Sequence, residues 1–233
     1  FPLYWPYGET AKGYREEGYL PEAFVNMLAL LGWNPGTEKE IFSMEELIEE
    51  FSIERVHKSG SRFDPEKAKW FNHYYLQKQD NRQLALEFRE ILRAKGIHHD
   101  MVDLEALVGM VKERVSFVKE LWNETDFFFI SPEAYDQDVI KKRWTNDIPQ
   151  KMIELSSVLE SVNEFTPENT ERAVKSWIEE KGYNTGAVMN AFRLLVVGAS
   201  RGPHMFEIIS WIGRQETLTR ISKGLDAIGK KAE

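Results

Sequence analysis

Apolar residues recur along this chain at intervals of three and four, the period of helices with one buried face. Over 80–95 the stripe is Leu84, Phe88, Ile91 and Leu92, and Gly96 stops it. Over about 104–122, Leu107, Val111, Val115, Val118 and Leu121 predict one long helix. Val188, Ala191, Phe192 and Leu195 share a face of another, over about 186–197. Strict alternation, the mark of strands, is scarce, which leaves at most a short ribbon near residues 1–15. The pattern predicts an all-α protein.

Start and stop signals sharpen these segments. Pro21-Glu22 opens an apolar run over 23–31 that Gly32 and Asn34-Pro35-Gly36 end, the usual proline-first, glycine-last asymmetry. Ser43 followed three residues later by Glu46 is a capping box, opening an acidic helix to about Phe51. Asp64-Pro65 opens a helix with an aromatic face of Trp70, Phe71, Tyr74 and Tyr75. Thr166-Pro167-Glu168 starts one that Gly182 closes, and the final helices are expected over about 203–212 and 216–228. Phe127-Phe128-Phe129 reads as buried packing.

Composition narrows the class. With 233 residues, 42% of them hydrophobic, the chain suits one large or two to three small domains. No stretch approaches the roughly 18 apolar residues of a membrane span. Phe1-Pro2-Leu3-Tyr4-Trp5-Pro6 has neither an initiator Met nor a charged n-region, so it is read as the interior of a longer chain and not as a signal peptide. The absence of cysteine excludes disulfides, thiolate metal sites and cysteine nucleophiles, and fits a cytoplasmic protein. The histidines, His57, His73, His98, His99 and His204, are scattered without metal-ligand spacing and read as surface or satisfied side chains. No metal site is expected.

A net charge of −8 counts against non-specific nucleic-acid binding, which rewards clustered Lys and Arg. The charge is uneven, however. Residues 193–233 hold seven Lys and Arg against four acids. That basic end contains "LLVVGASRGPHMFE", residues 194–207, which superficially resembles a dinucleotide-binding strand and glycine loop. Such a loop requires a βαβ unit with an acidic residue some 20 positions on. Here the apolar run continues a helical face, Pro203-His204 stands where a third glycine belongs, and no strand follows. An NAD(P)-dependent oxidoreductase is therefore disfavoured. Helix, basic turn, helix remains, which composition alone reads as an ordinary corner with Arg201 a surface charge.

Three stretches together resemble the C-terminal part of bacterial-type glutamyl-tRNA synthetases. "GYREEGYLPEAFVNMLALLGWNPG", residues 13–36, is similar to the segment after that family's second class I signature loop. "ERVHKSGSRFDPEKAKWFNHYYL", residues 54–76, is equally characteristic. "FRLLVVGASRGPHMFEIISWIGRQETLTRI", residues 192–221, is a looser match to the family's last anticodon-binding segment. The resemblance covers nearly the whole chain, most specifically before residue 80 and most weakly in the middle.

The resemblance implies a stem-contact helical domain over 1–79, then a two-part α-helical anticodon-binding cage over 80–150 and 151–233. It implies ATP-dependent ligation of glutamate to tRNA(Glu) by the parent enzyme, with Mg. The chain contains no HIGH-like or KMSKS-like motif, so it is expected to bind tRNA as a cytoplasmic monomer and to catalyse nothing alone. Neither a membrane nor DNA is an expected partner, and no cofactor is assigned to the fragment. An all-helical protein-interaction scaffold is the competing class.

Carried over residue by residue, the resemblance places Arg193 as an arginine addressing a base edge or phosphate. Met205 falls where the family sets an apolar side chain against an anticodon base, and Gly202 and Pro203 fall on its turn. Gly202 departs from relatives that carry Thr, which leaves only a backbone contact; His204 departs from the usual Gly and offers a ring to stack on a base. "VKERVSF" resembles the helix that presents an arginine to the first anticodon base, which would be Arg114; a solvated helix charge is the equal alternative. Arg15, Arg55, Lys58 and Arg62 are candidates for the tRNA sugar–phosphate backbone, and each reads equally well as a solubilising surface charge.

Overall fold

The computed structural model of the protein describes residues 3–4, 10–11, 13–57 and 62–229. The chain divides into two compact units, 1–123 and 124–233. Helices dominate both, and the strands among the described residues are the two-residue antiparallel pair β1 (Leu3–Tyr4) and β2 (Thr10–Ala11).

In the first unit, α1 (Tyr14–Glu17) leads into α2 (Pro21–Gly32), which packs on α4 (Pro65–Lys78). Ala23, Met27, Ala68 and Phe71 are buried between them. The expected capping box forms: Glu46 N–H donates to Ser43 Oγ, and Ser43 N–H donates to the Glu46 carboxylate at 2.8 Å, opening α3 (Met44–Glu50). Asp64 likewise caps α4, accepting from the N–H groups of Glu66 and Lys67. Asn26, fully buried, donates to the Glu40 carbonyl at 3.0 Å and accepts from Phe42 N–H and the Tyr75 hydroxyl. A buried amide is tolerated because its partners are all present.

Next, α5 (Asn81–Ala94) and α6 (Met101–Val111) form a helical hairpin that buries Leu84, Phe88, Leu104 and Leu107. The single helix expected over 104–122 does not form. After α6 a 3-10 turn covers Lys112–Arg114, Val115 to Phe117 run extended, a second 3-10 turn covers Val118–Glu120, and α7 (Leu121–Phe129) follows. Long-range hydrogen bonds supply the reason. Side chains of α4 take the carbonyls that a continuous helix would use: Gln77 donates to Lys112 O at 2.7 Å, His73 Nδ1 to Val115 O at 2.9 Å, and Asn72 to Ser116 O at 2.6 Å. Glu120 then accepts the N–H groups of Ser116 and Phe117. These bonds replace part of what a continuous helix would supply, which lowers the cost of the break.

The unit boundary falls within α7. The second unit continues with α8 (Gln137–Arg143), α9 (Ile148–Ser161), α10 (Pro167–Lys181), α11 (Thr185–Val197), α12 (Met205–Ile212) and α13 (Arg214–Gly229). Thr166 accepts from Asn169 N–H to cap α10, and Gly182 ends it in the left-handed conformation, as expected. Around α11 pack α8, α9, α10 and α13. Two boundaries shift from expectation: α12 starts at Met205 and not Pro203, and α13 starts at Arg214. Phe127 and Phe128 are buried, as the apolar run predicts, while Phe129 is half-buried.

Candidate nucleic-acid interface

The α11–α12 corner carries the residues that the resemblance singles out. Asn184 caps α11 by accepting from Ala187 N–H, and the helix buries Val188, Phe192, Leu194, Leu195, Val196 and Val197. Leu194 to Val197 are thus the last helical turn and not a strand. At that end the helix presents carbonyl oxygens, carrying partial negative charge, to the loop. A dinucleotide loop must follow a strand, so the cofactor-loop reading fails on topology.

Gly198 ends α11 at φ 84°, where its N–H donates to Leu194 O at 2.8 Å. A Cβ there would lie 2.7 Å from Ala134 O. Gly202 sits at φ 98°, and a Cβ on it would lie 2.7 Å from Phe127 Cζ. Both glycines are therefore set by the left-handed backbone and by close packing.

Within the corner Arg193 turns inward along the backbone. Its Nη1 donates to Arg201 O at 2.8 Å and its Nη2 to Pro203 O at 2.9 Å. Arg201 lies over the Phe127 ring at 5.1 Å, and its Nη2 donates to both carboxylate oxygens of Asp126, at 2.6 and 2.9 Å. Pro203 is buried, and Met205 is only 1% exposed. A base edge cannot reach Met205 in this arrangement, because α12 turns Met205, Phe206, Ile208 and Ile209 into the core. Ser200 and His204 are the exposed side chains of the corner. His204 is 54% exposed, with Nε2 3.8 Å from Glu171 Oε1 and its ring 5.5 Å from that of Phe206. The Glu171 carboxyl is held below its ordinary range by the Lys175 ammonium first and by His204 among lesser contributors.

A buried cation underlies the corner that the sequence reading did not single out. Arg220 on α13 is 2% exposed. Its Nη1 donates to Phe127 O at 2.6 Å and Val196 O at 3.1 Å, and its Nε to Glu216 at 2.7 Å. Val196 O is one of the carbonyls left over at the end of α11, so the arginine satisfies it and complements the helix dipole. Ser131 Oγ donates to the same Glu216 oxygen at 2.5 Å. Burial raises the Glu216 carboxyl, but the bonds from Ser131 and Arg220 outweigh it and leave it below its ordinary range. The signal was visible: Thr217, Arg220, Ile221, Gly224 and Ile228 form one inward stripe of α13.

In the first unit, Arg114 ends the Lys112–Arg114 turn with its side chain exposed, and is on no regular α-helix. Arg15 and Arg62 are exposed too. Arg55 is exposed overall, yet its Nη1 donates to Pro35 O at 2.7 Å and so braces the Asn34-Pro35-Gly36 turn. Lys58 lies outside the described residues. Among the described residues, no group of three or more His, Cys, Asp or Glu could hold a metal ion. Nor is any of their helices long and apolar enough to cross a membrane.

The corner is thus a glycine-jointed turn between two helices, braced from within by Arg193. Residues 76–225 match the family model described as "Anticodon binding domain", and the chain belongs to that family. Residues 8–70 match a second model, "tRNA synthetases class I (E and Q), catalytic domain". Among curated proteins the chain is similar to the glutamate–tRNA ligase of Phocaeicola vulgatus, 49% identical over 231 residues that make up 98% of this chain and 46% of that protein. It is equally similar, at 49% over 232 residues, to the glutamate–tRNA ligase of Porphyromonas gingivalis, again spanning 46% of it. A solved glutamate tRNA ligase from Elizabethkingia meningosepticum superposes with a TM-score of 0.89 at 42% identity, over 94% of this chain and 43% of that one. The synthetase of Elizabethkingia anophelis gives 0.87 at 39%, over 97% and 44%. The chain spans about half the length of the curated relatives it matches.

Proposed function

We propose that this chain is the tRNA-binding portion of a glutamate–tRNA ligase, holding tRNA(Glu) by its stem and its anticodon. The observation that carries the reading is the 49% identity to glutamate–tRNA ligases across 98% of the chain, joined to the anticodon-binding match over 76–225. Residues 1–79 are assigned to the stem, and 80–150 and 151–233 to the two halves of the anticodon-binding part, a division that differs from the compact units, whose boundary at 123/124 falls inside 80–150. Within the last half, His204 and the half-buried backbone at Gly202 are assigned to the base, supported by the exposure of His204. Arg193, Pro203 and Met205 are assigned to shaping the corner, supported by their inward bonds and burial. Arg114 is kept as a candidate for another anticodon base, and Arg15, Arg55, Lys58 and Arg62 for the stem backbone.

The whole ligase would join glutamate to tRNA(Glu) with ATP and magnesium, as a cytoplasmic monomer. No residue of this chain is assigned to ATP or magnesium. Recognition here is positioning chemistry: phosphates attract the cations, and splayed bases offer edges and faces to polar and ring side chains. Filter binding of labelled total tRNA to the chain, competed with unlabelled glutamate tRNA, tests the reading. Selective displacement by the glutamate tRNA supports it, and equal displacement by any tRNA sinks it.

A further inference from the structure

Several cations of this acidic protein are tied to carboxylates. Lys39, Lys67, Lys119, Lys151, Lys175 and Lys181 all make ion pairs. Three adjacent ones are not. Lys141, Lys142 and Arg143 form the last turn of α8, all three are exposed, and none makes an ion pair with a described residue. The acids of this helix are at its other end, where Asp136 accepts from the N–H groups of Asp138 and Val139. The helix is thus polarised, with its positive charge concentrated at one tip.

That tip is fixed relative to the α11–α12 corner. Asp136 N–H donates to Gly198 O at 2.9 Å, and α8 packs against α11. Seven helical residues span about 10 Å, so the basic tip lies roughly that far along α8 from the corner. The carbonyl end of α8 favours each of the three, and together they set three positive charges side by side, without ion pairs, in a chain of net charge −8.

We propose that Lys141, Lys142 and Arg143 form a binding site for the phosphodiester backbone of RNA, beside the corner that addresses the anticodon. The site rests on the tRNA-binding reading above and extends it: the corner reads bases, and the α8 tip holds consecutive phosphates of the strand leading to or from them. Lys supplies compact point charges and Arg a planar fork, and both suit phosphate oxygens.

The salt dependence of binding separates this from a purely structural role. Each phosphate contact to a single strand contributes a slope of about 0.7 to log K against log salt. The variant Lys141→Gln/Lys142→Gln/Arg143→Gln, binding a glutamate tRNA transcript, is expected to lose about 2 from the wild-type slope. Lys142→Gln alone is expected to lose about 0.7. A slope unchanged in both variants, with wild type binding the transcript, overturns the site and leaves the tRNA reading standing. Wild type that fails to bind the transcript at low salt overturns both.

Discussion

The guanidinium of Arg193 donates to the carbonyl of Pro203, ten residues further along and across the turn between their helices. Together with its bond to Arg201 O, this makes Arg193 a brace for the corner. Arg193→Ala is expected to destabilise the chain by about 2–3 kcal/mol, the scale of hydrogen bonds from a charged donor. Urea denaturation measures it, and a change below about 0.5 kcal/mol would show that the brace is unimportant.

Gly202 carries the tightest constraint on the corner's surface. Gly202→Ala places a methyl group in a left-handed backbone and against the Phe127 ring. A cost of about 1–3 kcal/mol is expected from the backbone alone, with the ring contact adding to it. Thermal unfolding of the variant is the check, and an unchanged midpoint would contradict the packing described.

Arg220 tests the foundation beneath. Arg220→Met keeps the bulk but leaves the carbonyls of Phe127 and Val196 without their donor. The expected loss is about 2–4 kcal/mol, since stranded buried acceptors cost about 1–3 kcal/mol each and part of that is recovered by relaxation. Glu216→Gln should cost less, because Arg220 retains its two carbonyl partners. The reverse order by denaturant titration would place the weight on the ion pair.

How legible was this in the sequence? Local signals carried far: the Ser43–Glu46 box, the Asp64 and Thr166 caps and the Gly182 stop all form as their residues dictate. What escaped was set by distant partners. The break over 112–120 depends on Asn72, His73 and Gln77, some 35 to 44 residues away, which no periodicity over 104–122 encodes. Helix α9 lacks a clear start signal in the sequence although Ile148, Met152, Leu155 and Leu159 repeat correctly, because Pro149 biases its predecessor against a helical start. At the site, the resemblance singled out the corner but not its inside and outside. Met205 and Arg193 are inward because α12 buries its first apolar turn and the corner's carbonyls need a donor.

Asp147 offers a pH prediction. The Lys151 ammonium, first, and the Thr145 hydroxyl hold its carboxyl at about 2, below its ordinary 3.8. A lowered folded-state value means that its contribution to stability is complete above about pH 4 and is lost as pH falls through about 2. The Asp147 carboxyl should titrate near 2 by NMR, and Lys151→Met should move the midpoint upward. A wild-type midpoint near 3.8 would contradict the pairing.

The central claim, that this chain reads the glutamate anticodon, is tested most directly by one comparison. Affinity is measured for a glutamate tRNA transcript and for the same transcript with its three anticodon bases replaced. Base contacts are worth about 1–3 kcal/mol each, so replacement is expected to weaken binding at least tenfold, the equivalent of about 1.4 kcal/mol. Equal affinity for the two transcripts at physiological salt would contradict it.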